Sequence, residues 1–192
     1  MALLILGLVI FLGIHSIRIF ANDWRTAQIA RMGPNKWKML FSVTALIGIV
    51  VIIWGYGIAR AQPVWLWTPP RWAPHLAGLL TALAFILFPA SHVRNGRIKA
   101  VVGHPMVLGV GLWALAHLLA NGTLSAVVLF GAFLLWSVID FAVSLRREPA
   151  AGLASANGKL MGDIIPSVVG LVLWALFAFV LHGWLIGVRP FS

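Results

Sequence analysis

The sequence predicts an all-α fold: a polytopic membrane helix bundle of six transmembrane helices with both termini outside. Three observations predict it. The first is composition. Of 192 residues 61% are apolar, 14 are basic and only 4 are acidic, whereas a soluble domain is about half apolar and a quarter charged. Too few charged residues remain to coat a water-exposed surface, so the apolar excess must face lipid. The second is a set of six apolar runs of near-spanning length. The third is an alternation of Lys and Arg between successive connections, which orients the spans.

The expected spans are 2–20, 39–58, 75–90, 105–120, 123–145 and 164–187, in a single transmembrane domain covering 1–192. The first has no basic residue before its apolar run and no small-residue cleavage pattern after it, so it is read as a span and not a removable leader. The third and fourth are short. The fourth and fifth are joined by Asn121-Gly122, a helix stop and tight turn that predicts a helical hairpin. The stretch 148–162, rich in Ala, Gly and Ser, reads as a mobile loop. No repeat or low-complexity tract is evident.

Loop 1 with its flank carries Arg18, Arg25, Arg31, Lys36 and Lys38; loop 3 carries Arg94, Arg97 and Lys99; loop 5 carries Arg146, Arg147 and Lys159. The other side has only Arg60, Arg71 and Arg189. The positive-inside rule therefore places loops 1, 3 and 5 in the cytoplasm. The +10 net charge reports orientation, and no nucleic-acid partner is expected; the partner is the lipid bilayer. Ten Trp are many for this length. Trp65, Trp67 and Trp72, among Pro63, Pro69, Pro70 and Pro74, predict a proline-stiffened flap at the outer interface. Trp24, Trp37 and Trp184 also fall near interfaces, while Trp113 and Trp174 fall nearer mid-span.

The absence of cysteine excludes disulfides, thiolate metal sites, Cys nucleophiles and c-type haem attachment. Met32, Met39, Met106 and Met161 are unclustered, against a methionine copper site. No Ser-His-Asp arrangement, phosphate-cradling loop or paired-carboxylate site is present. Attention falls on ionisable residues inside spans, which are costly there. His15 lies inside the first span and reads either as a neutral histidine bonded to a neighbouring backbone carbonyl or, with Arg18 a turn further on the same face, as a residue facing an anionic partner. His104 precedes Pro105 at the start of the fourth span. His117 lies a turn inside that span, one turn from Trp113 and one from Asn121, so the three form a polar-aromatic stripe. Asp140 lies in the fifth span near Arg146 and Arg147, and either pairs with them or belongs to a site. Asp163 opens the sixth span, where a carboxylate caps a helix N-terminus. His75, His92 and His182 fall at span ends as interface residues. Buried imidazole serves metal or haem ligation, proton transfer or ligand hydrogen bonding.

Several segments together resemble the NnrU family of bacterial inner-membrane proteins. They are Phe11-Leu12-Gly13-Ile14-His15-Ser16-Ile17-Arg18, Trp37-Lys38, Trp54-Gly55-Tyr56-Gly57, the block from His104-Pro105-Met106 to Asn121-Gly122, and Trp136 to Asp140 followed by Arg146-Arg147. The resemblance implies a protein of the bacterial inner membrane, in which the outside termini of the charge count are periplasmic, linked to denitrification through nitrite and nitric oxide reductases. The family is in turn similar to plant 15-cis-zeta-carotene isomerase, a membrane enzyme with haem b held by histidine. Carried over, that similarity implies haem b here, with His15 and His117 as metal ligands, and an isomerase-like reaction on an apolar small-molecule substrate. The plant enzymes have a cysteine where this chain has Ala114, so a cysteine ligand switch is not available. His104, Arg18, Trp113, Asn121 and Asp140 complete the candidate cofactor-binding set.

Helical rise of about 1.5 Å per residue separates His15 and His117 in depth by about 12 Å. His104 matches His15 better in depth but lies on a different helix face from His117. All three stay candidates. Two further functions are weighed. The His-Pro block is similar to one in isoprenylcysteine methyltransferases that contacts S-adenosylmethionine, although Glu148 is the only glutamate available for the motif's acidic half. The other is a non-enzymatic accessory or carrier protein.

Overall fold

The computed structural model describes residues 1–93, 96–147 and 161–191. The helices are α1 (Ala2–Phe20), α2 (Asn22–Met32), α3 (Pro34–Ala61), α4 (Ala73–Ala90), α5 (Arg97–Val102), α6 (Pro105–Ala120), α7 (Leu124–Arg147), α8 (Met161–Leu176) and α9 (His182–Ile186). A π-helical turn, Phe177–Leu181, joins the last two. Among the described residues there is no strand, only an isolated bridge between Trp65 and Thr123. The fold is all-helical, as expected. Among the described residues five helices are long and apolar enough to cross a membrane: α1, α3, α4, α7 and the continuous stretch Gly162–Ile186. The expected fourth span, α6, is apolar but has 16 residues, about 24 Å of helix against a hydrocarbon core of about 30 Å.

The runs at 2–20 and 105–120 coincide with α1 and α6. The run at 39–58 is the middle of the longer α3, which starts with Pro34 in its first turn and ends past Arg60. A proline fits the first helical turn because its missing N–H has no partner to lose there. The expected 75–90, 123–145 and 164–187 become Ala73–Ala90, Leu124–Arg147 and Met161–Ile186. Two short helices, α2 and α5, occupy what reads in sequence as loops. Of the expected mobile stretch 148–162, residues 148–160 lie outside the described residues, as does Arg94; the last two residues already belong to α8.

The helices pack in the order α3, α1, α7, α6, α4, α8, each on its neighbour, and α3 also touches α7. Hydrophobic burial does not drive association between helices in lipid, so close backbone approach and dispersion must do so. The α1–α3 contact is built this way. A Cβ on Gly7 would stand 2.6 Å from the Ile52 nitrogen, and one on Gly48 would stand 2.8 Å from the Phe11 nitrogen. Gly55 is pressed equally hard against the backbone of Leu3 and Leu4. The central core is Leu4, Leu8, Ile52, Ala114, Ala126, Leu129, Phe130 and Phe133, from α1, α3, α6 and α7.

The tryptophan flap is pinned to the α6–α7 hairpin turn. Leu66 N–H donates to the Gly122 carbonyl at 2.8 Å, and Leu124 N–H donates to the Val64 carbonyl at 2.8 Å. At the opposite, basic end, Asp163 is buried in the first turn of α8. Its carboxylate does cap a helix, but a neighbouring one. It accepts from Arg97 N–H at 2.9 Å and from Ile98 N–H at 3.3 Å, closing the start of α5. Of the mid-span tryptophans, Trp113 joins the core cluster. Trp174 donates Nε1–H to the Thr81 hydroxyl at 3.0 Å and ties α8 to α4.

Candidate binding cleft at the basic end

A cleft of about 470 Å³ opens where the basic ends of α1, α2, α3 and α7 meet. This is within the usual size range of small-molecule sites. Helix α1 supplies Ile14, His15, Ile17 and Arg18; α2 supplies Arg25 and Ile29; α3 supplies Pro34, Trp37, Lys38, Phe41 and Ser42; α7 supplies Trp136 and Asp140. The walls are aliphatic and aromatic. The charged groups are three cations and one carboxylate.

His15 is held on three sides. Its ring lies 4.3 Å from Phe11 and 4.9 Å from Phe41, and it meets Trp136 edge to face at 6.0 Å and 87°. Its Nδ1 is 2.6 Å from the Phe11 carbonyl oxygen one turn back. A carbonyl only accepts, so the Nδ1 carries the proton and the Nε2 lone pair is left for an outside partner. Such a bond from the remote ring nitrogen is the usual way a metal-ligating imidazole is oriented. Trp136, beside it, has the one side-chain N–H among the described residues that is buried without a hydrogen-bond acceptor. Asp140, one turn further along α7, accepts from the Ser144 hydroxyl at 3.3 Å. Arg147 reaches across to α1, where its Nη2 donates to the Arg18 carbonyl at 2.8 Å.

His117 stands elsewhere. It stacks on Phe130 at 4.5 Å and 26°, and its Nδ1–H donates to the Trp113 carbonyl at 2.8 Å. Asn121 donates to the His117 carbonyl at 2.8 Å, so the expected Trp113–His117–Asn121 stripe exists as a chain of one-turn bonds along α6. Between His15 and His117 the rings run His15, Phe11, Phe133, Trp113, His117, with steps of 4.3, 5.7, 5.5 and 5.0 Å. Their contacts on α7, Trp136 and Phe130, are six residues apart, about 9 Å along that helix. The two histidines do not share a site. His104, at the N-cap of α6, faces the Phe141 ring at 6.4 Å and does not line the cleft.

The structure thus brings together His15, Arg18 and Asp140, and leaves His117, Trp113, Asn121 and His104 outside the cleft. Sequence reasoning missed Arg25, Lys38, Trp37 and Trp136 as cleft residues. The first two read only as orientation markers; the spacing of Trp136 four residues before Asp140 was the available signal. Among the described residues no group of three His, Asp or Glu could hold a bare metal ion.

Apolar spanning helices around an internal core, with a charged and aromatic cleft at one end, define a multi-pass membrane protein. The family model described as NnrU protein matches residues 3–190, and the chain belongs to the NnrU family. No curated protein and no solved structure matches it.

Proposed function

We propose that this protein is a haem b-binding protein of the bacterial inner membrane, holding haem through His15 alone in the basic-end cleft. One observation carries the reading: His15 faces a cleft large enough for a ligand, with Nδ1 tied to Phe11 and Nε2 left open. The donor set fits. Neutral imidazole suits haem iron, Phe41, Trp37 and the isoleucines suit an apolar macrocycle, and Arg18, Arg25 and Lys38 suit its carboxylates. A haem ligated by both His15 and His117 does not fit this packing, because Phe11, Phe133 and Trp113 fill the space between them. A bound haem b would supply redox-active iron with a position for a small ligand. That agrees with the denitrification link, or with a cis-trans isomerisation of an apolar substrate, implied by the family resemblance. The chain's own share is to orient His15, exclude water with aromatic walls and neutralise carboxylates.

The charge distribution supports six spans with both termini periplasmic, and favours a cleft on the cytoplasmic side. The short α6 then crosses as the inner partner of α4 and α7. No observation favours the methyltransferase alternative, since the His104-Pro105 block lies off the cleft. The test is an absorption spectrum of the protein purified from cells supplied with haem. A Soret band that sharpens and shifts on reduction is expected; protein purifying without one overturns the reading.

A further inference from the structure

Helix α2 contributes two residues to the lining of the cleft. Helix α2 has no buried residue, an unusual economy for a helix retained by packing. It is bounded by Ala21, where the helical backbone breaks, and by Gly33 at φ +85°, in the left-handed region that favours glycine. One face, Arg25 and Ile29 four residues apart, lines the cleft. An edge-to-face contact at 5.9 Å between Trp24 and Trp37 holds α2 against α3, one residue before Lys38. The side chains of Arg25 and Lys38 make no hydrogen bond or ion pair among the described residues. Two cations from two helices therefore stand at one cleft, with Asp140 as the carboxylate among its lining groups.

We infer that Arg25 and Lys38 form a two-helix clamp for the paired carboxylates of a porphyrin edge, so that the ligand sits with its acidic side toward α2 and its body toward His15. The inference rests on the haem reading of the same cleft. A guanidinium presents a fork that matches a carboxylate and an ammonium acts as a point charge, so the pair suits two acidic groups at different positions. Apolar porphyrin surface then meets Phe41 and Trp37, and His15 is left for the metal.

The test uses metal-free protoporphyrin IX, which has the same two propionates and no iron for His15 to ligate. Its binding to the full-length protein in detergent is read by quenching of tryptophan fluorescence. The clamp predicts that Arg25→Glu with Lys38→Glu weakens binding about tenfold or more, equivalent to about 1.4 kcal/mol. Arg31→Glu with Lys36→Glu, an equal charge change off the cleft lining, is expected to leave it within about twofold. The dimethyl ester of the porphyrin should bind the unaltered protein about tenfold more weakly than the free acid. Arg25→Gln with Lys38→Gln provides the same comparison if charge reversal impairs folding. Ester and acid binding equally, the clamp and control variants behaving alike, or no binding of the acid overturns the clamp. The haem reading fails separately, if porphyrin binds but supplied haem gives no His15-dependent Soret band.

Discussion

His15 and His117 both lie against α7, but on different rungs: His15 meets Trp136 edge to face at 6.0 Å, whereas His117 stacks on Phe130 at 4.5 Å. Phe133, between those rungs, touches Phe11 on one side and Trp113 on the other. This arrangement makes two environments from two histidines. One opens to a charged cleft; the other is enclosed by rings of the central core. In both, the Nδ1–H is spent on a carbonyl one turn back, so the difference in what they can do lies in access.

The α1–α3 contact makes a stability prediction. Gly55→Leu places a side chain where the backbone of Leu3 and Leu4 already sits, and overpacking of this kind costs about 1–3 kcal/mol or more. A clear fall in Tm in detergent, by scanning fluorimetry, is expected. Gly13→Ala is the control: nothing stands within 4 Å of its Cβ position, and replacing a mid-helix glycine by alanine gains about 1 kcal/mol. If both variants melt like the parent, glycine packing does not hold these helices together.

Asp163 predicts a local effect. Its buried carboxylate accepts the Arg97 and Ile98 N–H groups. Hydrogen bonds to a charged group are worth about 1.5–3 kcal/mol each. Asp163→Ala is expected to raise amide hydrogen exchange at residues 97–102 by at least about tenfold, with little change at α1 or α3. Uniform loosening of the whole chain would mean that Asp163 is not specifically the cap of α5.

Orientation is testable because the chain has no cysteine. Single cysteines at Ala27 in α2 and Leu66 in the flap, both exposed, report the two sides. In intact cells an impermeant maleimide is expected to label Leu66→Cys and to spare Ala27→Cys until the membrane is opened. The reverse pattern would invert the topology drawn from the arginine and lysine count.

The legibility of the molecule in its sequence follows from which interactions are local. Apolar runs of α1 and α6 end at sharp composition changes, and their limits match the helices. The start of α3 does not: Pro34 is a helix-start signal, but the polar Asn35-Lys36-Trp37-Lys38 turn hides it from a hydropathy reading. Helix α2 is polar on nearly every side and α5 has six residues, so neither leaves an apolar period. His15 and Arg18 share a face by helical spacing alone, and the structure puts both in the cleft. That Arg25, Lys38 and Trp136 join them depends on how α2, α3 and α7 pack around α1, which no spacing within one helix encodes. The separation of His15 from His117, by contrast, was already implied by counting rise along two helices; the family resemblance pointed the other way.

The central claim is that haem b is held by His15 in the basic-end cleft, without His117. Absorption spectra of the haem-supplied protein and of its His15→Ala and His117→Ala variants, oxidised and reduced, test it most directly. The account predicts a Soret band in the unaltered protein and in His117→Ala, and its loss in His15→Ala. A band that survives in His15→Ala, or one that needs both histidines equally, would contradict it.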